Sequence, residues 1–326
     1  MKLESWRPGL LAPVVRFWNR VFAQKRNFFP VTEALFLERV VEKRTAVEAF
    51  DPRGFIVARE GREIAGFIHV GERPEDLVRT LDPDWPGGSQ GYVAFLYVDP
   101  DFRKKGIGSE LWHRGLERLQ GTRQVILDGQ CWNPFYGNSE GPFTPFWGTP
   151  EGVSVEWDSS ATRKFLARKG FAPRFKGVQL ALEIEKATTA PLEAAERSLS
   201  RGGFELRILE GEYPEVGGAA KERRFMPRGL EFECASAVRN GRTVGLIAYF
   251  PLREVRAGLQ AIYEANVVEA YRGRALGRNL LAAAVARMKG RGTVRCEVMT
   301  IPEISAAAHK LYLKAGFLPA ANWTIY

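Results

Sequence analysis

A Gly- and Arg-rich turn occurs twice in this sequence, each time between an apolar run and a helix-like segment. The first copy reads Arg103-Lys104-Lys105-Gly106-Ile107-Gly108 and the second reads Arg272-Gly273-Arg274-Ala275-Leu276-Gly277. Glycine lets the backbone turn tightly, so that successive N–H groups point toward one place, and the start of a helix adds partial positive charge. Arg and Lys side chains add charge-assisted hydrogen bonds to phosphate oxygens. The pattern predicts a pyrophosphate-binding turn in each half of the chain.

A second element repeats in the same order, which identifies the repeat as a whole domain. Phe165-Leu166-Ala167-Arg168-Lys169-Gly170-Phe171 follows the first turn, and Leu311-Tyr312-Leu313-Lys314-Ala315-Gly316-Phe317 follows the second. A single turn could equally be a solvated strand–helix connection. Two copies, each followed by a strand and an apolar helix that ends in Gly-Phe, favour paired phosphate sites.

Hydrophobic periodicity predicts the same element order in both halves, β-α-α-β-β-β-α-β-α-β, which is an α/β layered domain. The segment from Glu185 to Gly203 has few large apolar residues and is the expected linker. We therefore predict an N-terminal domain at 1–185, a linker at 186–203 and a C-terminal domain at 204–326. Less regular stretches are read as a helix over Thr32–Lys43, a polar loop over Gly71–Gly91 and a helix over Pro214–Arg223.

The first half carries an insertion of about 23 residues, within Cys131–Ser159, that the second half lacks. A long loop in a compact domain is usually functional or disordered, and the many aromatic residues here argue against disorder. We expect the segment to lie over the open end of the first copy, with Phe143, Phe146 and Trp147 as walls of an acceptor pocket. The equally weighted alternative is that these three residues seal an interface between the two copies.

The bulk properties restrict the class of protein. The chain has 326 residues, a formal net charge of +9 and three cysteines, which are widely spaced and form no metal-binding or disulfide pattern. No apolar run is long enough to span a bilayer, and charges throughout the first 30 residues argue against a signal peptide. A reducing cytoplasm is the expected location. The basic residues form scattered clusters, two of them on the repeated turns, which argues against nucleic acid as the partner.

Together these motifs resemble the GNAT superfamily of N-acyltransferases. The segment from Val98 through Gly108 resembles its acetyl-CoA-binding segment, and Val267 through Gly277 is similar, with Ala275 where glycine is usual. The resemblance implies two domains, each with a mixed β-sheet that is splayed between its fourth and fifth strands and flanked by helices. Acetyl-CoA would lie in the splay, with the backbone of Leu96, Tyr97, Val98 and Val267 against its pantetheine arm and acetyl group. It implies no metal and no covalent enzyme intermediate.

The resemblance also assigns candidate catalytic residues in the second copy. Tyr312 corresponds to the general acid that protonates the CoA sulfur, and Glu264 on the fourth strand is the candidate base. A packed tyrosine and a solvated glutamate are the plainer alternatives. The first copy has Leu166 and Phe95 at these places, which puts its catalytic competence in doubt.

The function implied is acetyl-CoA-dependent acetylation of an amine of a small molecule or peptide by direct attack. The alternative is a CoA-binding scaffold or sensor in which one or both copies have lost catalysis. The sequence identifies neither the acceptor nor the oligomeric state.

Overall fold

A computed structural model describes residues 1–42, 49–127, 129, 133, 135–138, 143–216 and 231–326 of the chain. Its contacts divide the chain into two compact units, Met1–Gly137 and Asn138–Tyr326. Each unit contains a mixed sheet with helices against it, so the predicted fold class is confirmed.

The first unit holds a five-stranded sheet in the order β1-β2-β3-β4-β5. Neighbouring strands are antiparallel except β4 and β5, which are parallel. Its elements are β1 (Lys2–Ser5), α1 (Leu11–Phe22), α2 (Glu33–Phe36), β2 (Phe55–Glu60), β3 (Glu63–Arg73), α3 (Glu75–Leu81), β4 (Gln90–Val98), α4 (Ile107–Arg118) and β5 (Gln124–Leu127).

Two local predictions for this unit differ from the structure. The helix expected over Thr32–Lys43 is α2 followed by a wide π-type turn at Leu37–Val41, and Lys43 lies outside the described residues. The segment read as a polar loop over Gly71–Gly91 contains the end of β3 and all of α3. The sequence pattern does not predict this short helix, because the Pro and Gly residues that flank α3 are turn formers and dominate the local composition.

The second unit holds an eight-stranded sheet in the order β6-β13-β7-β12-β11-β10-β9-β8. Its elements are β6 (Val155–Glu156), α5 (Ser160–Arg168), β7 (Phe175–Glu183), α6 (Leu192–Arg201), β8 (Glu205–Glu210), β9 (Glu233–Arg239), β10 (Arg242–Pro251), β11 (Leu259–Val267), α7 (Leu276–Gly290), β12 (Arg295–Thr300), α8 (Ala306–Lys314) and β13 (Leu318–Ile325). The helix expected over Pro214–Arg223 falls mostly outside the described residues.

The last strand of the first repeat, β7, lies inside the second sheet between β12 and β13 and is antiparallel to both. A buried network fixes its register: Gln179 Nε2 donates to Glu297 Oε2 at 2.6 Å, and Trp323 Nε1 donates to Gln179 Oε1 at 3.0 Å. The predicted boundary at residue 185 follows the sequence repeat, whereas the contacts divide the chain after Gly137.

The predicted linker is not extended. It contains α6, whose Ala195 and Leu199 are buried, and Asn279 of α7 donates a hydrogen bond to Ser198 of α6 at 2.9 Å. Ala195 and Leu199, which are four residues apart, bury one face of this helix, although large apolar residues are scarce in the segment.

Both sheets open at corresponding places. β4 pairs with β5 only from Gln90 to Val93, and β11 pairs with β12 only from Leu259 to Ala261. Each long strand carries a one-residue bulge just beyond this point, at Ala94 and at Tyr263, where its register with the preceding strand shifts. A bulge increases the local twist. The fourth strand of each copy therefore leaves the fifth and exposes one backbone edge.

Candidate functional site

The first glycine-rich turn connects the open end of β4 to α4. Asp99 accepts from the amide of Asp101 at 3.0 Å and so caps a short 3-10 turn. Lys104 and Gly106 then adopt left-handed φ values of 63° and 83°, and the helix starts at Ile107.

The second turn has the same backbone. A 3-10 turn at Glu269–Tyr271 precedes Gly273 and Ala275, whose φ values are 78° and 59°, and α7 starts at Leu276. A side chain at this conformation costs roughly 1–2 kcal/mol relative to glycine. A Cβ added at Gly106 would meet nothing within 4 Å, which explains why the turn tolerates alanine at position 275.

The amides of these turns face away from other protein acceptors. Among the described residues, no backbone or side-chain acceptor is found for the N–H groups of 104–108 or 273–277. Neither helix has a side-chain cap. Several amides that converge at a helix N-terminus form an anion site, so both turns fit a pyrophosphate.

The arginines that open the two turns have a structural contact in common. Arg103 Nε donates to the carbonyl oxygen of Val98 at 2.9 Å, and Arg272 Nε donates to that of Val267 at 3.0 Å. Each arginine therefore holds the end of its strand against the turn. The exposed cations beside them stack on aromatic rings: Lys105 lies 5.1 Å from the ring of Phe102, and Arg274 lies 5.6 Å from that of Tyr271.

The strand residues predicted to face the cofactor lie on the exposed edges. Leu96, Tyr97 and Val98 are half-buried, and β3 pairs with only one side of them. Val267 is placed in the same way by its pairing with Gly245. The predicted cofactor contacts of these residues remain predictions.

In the first unit, the point where β4 leaves β5 is filled by the start of the inserted segment. Asn133 Nδ2 donates to the carbonyl oxygen of Ala94 at 2.6 Å, and its Oδ1 accepts from the amides of Phe135 and Tyr136. The Tyr136 ring stacks on Trp18 at 5.6 Å and packs against Phe95 at 4.9 Å.

A buried histidine, His69, contacts the Tyr136 side chain at this opening. Tyr136 hydroxyl and His69 Nδ1 are 3.0 Å apart, and both side chains are buried. Burial lowers the pKa of His69 to about 3, so the imidazole is neutral. Sequence reasoning missed this cluster because His69, Phe95 and Tyr136 are far apart along the chain and share no motif.

In the second unit, Tyr312 lies on α8 and is 2% exposed. Its ring packs against Phe317 at 5.3 Å, and its hydroxyl has no hydrogen-bond partner among the described residues. Burial raises the pKa of Tyr312, and the nearby Cys296, Glu151 and Glu264 raise it further. The phenol therefore stays protonated and can donate a hydrogen bond.

Glu264 follows the bulge on β11, opposite Ala248 of β10. Burial raises the pKa of its carboxyl group, and a hydrogen bond from Asn266 partly opposes this. A carboxylate with a raised pKa is a stronger base than a solvated one. The charge of Glu264 also contributes to the raised pKa of Tyr312, and the catalytic roles of both residues remain predictions.

The later part of the inserted segment belongs to the second unit. Phe146 and Trp147 are 2% and 5% exposed, and Phe143 is half-buried. Thr144 donates to Glu254 at 2.5 Å, and β6 pairs with β13. The segment was expected over the first copy; residues 143–156 are attached to the second instead.

These features agree with comparisons to known proteins. The acetyltransferase (GNAT) family profile matches residues 18–134 and 205–317. The matched ranges cover more than half of the chain, and one range lies within each repeat. The chain belongs to the acetyltransferase (GNAT) family and contains two tandem copies of its domain.

One relative is similar at the sequence level. Mycothiol acetyltransferase from Thermobifida fusca is 36% identical over 114 residues, which are 34% of this chain and 33% of that protein. The similarity therefore spans about a third of the relative's length.

Solved structures share the fold along the whole chain. A tandem GNAT protein from the clavulanic acid biosynthesis pathway matches with a TM-score of 0.61 and 17% identity, over 99% of this chain and 97% of that one. A GCN5-related N-acetyltransferase from Sphaerobacter thermophilus matches with a TM-score of 0.55 and 18% identity, over 99% and 93%. A fungal glucosamine N-acetyltransferase region matches with a TM-score of 0.63 and 15% identity, over 99% and 37%.

Among the described residues, no group of three or more His, Cys, Asp or Glu side chains could hold a metal ion. No described helix is both long and apolar enough to span a bilayer.

Proposed function

We propose that the chain transfers an acetyl group from acetyl-CoA to an amine and that the second copy carries out the reaction. The observation that supports this most directly is the position of Glu264 on β11, just beyond the point where pairing with β12 ends. The charge of Glu264 also contributes to the raised pKa of the buried Tyr312. The first copy has Leu166 and Phe95 at these positions, and its corresponding opening is filled by Asn133 and Tyr136.

Each residue has a definite task in this reaction. The turn at 272–277 holds the pyrophosphate with its free amides, and the exposed edge of β11 orients the acyl group. Glu264 accepts the proton that the amine loses as its nitrogen bonds to the acetyl carbon. Tyr312 donates its hydroxyl proton to the sulfur as the C–S bond breaks. The thioester supplies the electrophilic carbonyl, and most of the remaining catalysis is positioning.

The acceptor is a small-molecule or peptide amine, and the aromatic residues of the inserted segment are the candidates to line its pocket. We expect Phe143, which is half-buried, to contact an acceptor directly. Phe146 and Trp147 are buried and would support the wall from behind.

Release of free thiol from acetyl-CoA with a panel of amines tests the proposal. Tyr312→Phe keeps the packing and removes the proton donor, so turnover should fall on the order of 10²-fold. Tyr249→Phe is the matched control, because Tyr249 is also buried in this unit but its hydroxyl bonds Glu233. Equal turnover in wild type and Tyr312→Phe would remove Tyr312 from the mechanism.

For the first copy, we propose a CoA-binding support role in place of catalysis. Its turn has two left-handed positions and amides without protein acceptors among the described residues, as the turn of the second copy does. The opening between β4 and β5, where an acceptor would enter, is packed with aromatic rings. Calorimetric titration with CoA should therefore give two sites per chain. One site would mean that only one turn still binds.

A further inference from the structure

The fourth strands of the two copies differ in the length of their open edge, which is the half-buried run of the strand beyond its pairing with the fifth strand. On β4 the open edge is residues 96–98, and Phe95 and Ala94 before them are buried. On β11 it is longer and covers residues 263–267. Because successive residues of a strand are about 3.3 Å apart, the open edge of the first copy is shorter by about 7 Å.

Two side chains of the inserted segment cover the part of β4 that is missing from its open edge. The Asn133 amide donates to the Ala94 carbonyl at 2.6 Å, and the Tyr136 ring packs on Phe95 with the ring centres 4.9 Å apart. Asn133 is 1% exposed and Tyr136 is 0% exposed. The Tyr136 hydroxyl is fixed as well, since it lies 3.0 Å from His69 Nδ1. This part of the strand is therefore closed by well-held side chains.

The length of the open edge can be compared with the pantetheine arm of CoA. The arm has about twelve bonds between its phosphate oxygen and its sulfur, against three for each residue of a chain, so when extended it spans about four residues of strand. An arm that starts at the turn and lies along β4 from Val98 brings its sulfur to about Phe95, where the open edge ends. The acyl group of a thioester extends further, toward Ala94, and meets Asn133 and Tyr136.

We propose that the first copy selects CoA as the free thiol over its thioesters, because the inserted segment fills the place of the acyl group. The two turns have the same backbone, so both hold the phosphates, and only the longer open edge of the second copy leaves room for the acyl group. The first copy therefore binds the thiol product of the reaction that we propose for the second. This inference rests on the proposed function, which assigns CoA to both turns.

Calorimetry with CoA and acetyl-CoA in the absence of an amine tests the selection. In the full chain carrying Gly273→Val only the first site remains, because a β-branched residue at a φ of 78° distorts the second turn. We expect this chain to bind CoA on the order of 10-fold more tightly than acetyl-CoA, since the acyl group clashes with the inserted segment. The wild type should accordingly show two sites for CoA and one tight site for acetyl-CoA.

Substitutions in the inserted segment test the cause of the selection. Combined with Gly273→Val, Tyr136→Ala removes the ring beside Phe95 and should bring the affinity for acetyl-CoA close to that for CoA. Asn133→Ala is a smaller change and should narrow the preference. Tyr92→Ala is the matched control, because Tyr92 is also buried but lies where β4 still pairs with β5, and it should keep the preference. If either substitution prevents folding, the comparison of the two ligands decides the proposal alone.

Equal affinities of CoA and acetyl-CoA at the first site would overturn the inference and leave the support role of the first copy intact. A preference that survives in both Tyr136→Ala and Asn133→Ala would also overturn it, because the inserted segment would not be its cause. If the chain carrying Gly273→Val binds neither ligand, the inference and the support role are both wrong. Thiol release with amines is independent: selection of CoA in a chain without turnover would refute the transfer reaction and keep the first site.

Discussion

Glu264 shows at the scale of one residue how a site can oppose stability. Its pKa is raised above the ordinary 4.5 by burial, so the folded chain binds this proton more tightly than the unfolded chain does. The protonated carboxyl contributes its full stabilisation when the pH is below the pKa that Glu264 has in the unfolded chain. This stabilisation is lost as the pH rises through the pKa that Glu264 has in the folded chain. At pH 7, which lies above the unfolded pKa, the carboxyl group is therefore a net cost to the stability of the fold.

Glu264→Gln should accordingly raise the melting temperature at pH 7 and lower the turnover, because the amide needs no ionisation and cannot accept the proton. The gain in stability should vanish below about pH 4, where both forms are neutral. Differential scanning calorimetry at the two pH values checks the first part, and thiol release checks the second. A variant that is less stable at pH 7 would show that the carboxylate is stabilised by the fold.

Asn133 lies at the corresponding opening in the first unit, where it satisfies three backbone groups at once. Asn133→Ala leaves the buried Ala94 carbonyl without its donor, and we expect a loss of about 1–3 kcal/mol in the free energy of unfolding. Asn133→Asp keeps the acceptor for the two amides but places an oxygen against the Ala94 oxygen, so it should be at least as destabilising. Urea unfolding of both variants measures these losses, and wild-type stability in either would contradict the assigned contacts.

At the scale of elements, the two turns depend on residues that can adopt a left-handed backbone. Gly106→Val places a β-branched side chain at φ 83°, which distorts the amide cradle. We expect one of the two CoA sites to be lost. Gly121→Val is the matched control, because Gly121 has a φ of 98°, lies in a surface turn, and has equally open surroundings.

The control separates local strain from ligand binding. Both variants should lose similar stability, and only Gly106→Val should change the number of CoA sites found by calorimetry. If Gly121→Val also removes a site, strain transmitted through α4 is responsible and the turn itself is not the binding element.

At the scale of the whole molecule, β7 decides which fragment can fold. A fragment of residues 204–326 lacks this strand, so β12 and β13 lose the neighbour that both of them pair with. Unpaired strand edges promote aggregation. We expect this fragment to aggregate, whereas residues 138–326, which contain all eight strands of the second sheet, unfold cooperatively. Thermal unfolding and light scattering distinguish the two, and a cooperative transition in 204–326 would contradict the topology.

The parts that the sequence alone determined are local. Residue types within a few positions of one another specify the positive-φ positions at residues 106 and 273, the helix starts after them and the repeat of the whole pattern. This is why the family and the fold class could be predicted. Alanine rarely adopts the left-handed backbone that glycine usually supplies at position 275, and the structure shows that the same turn forms there.

The parts that only tertiary structure decided depend on contacts between distant residues. β7 ends the first repeat in sequence and looks like its closing strand. It pairs instead with β12 and β13, and the network of Gln179, Glu297 and Trp323 joins it to the second sheet. The same holds for Tyr136 in the first opening. It lies in an insertion without periodicity, so its place is set by packing and hydrogen bonds that no local pattern records.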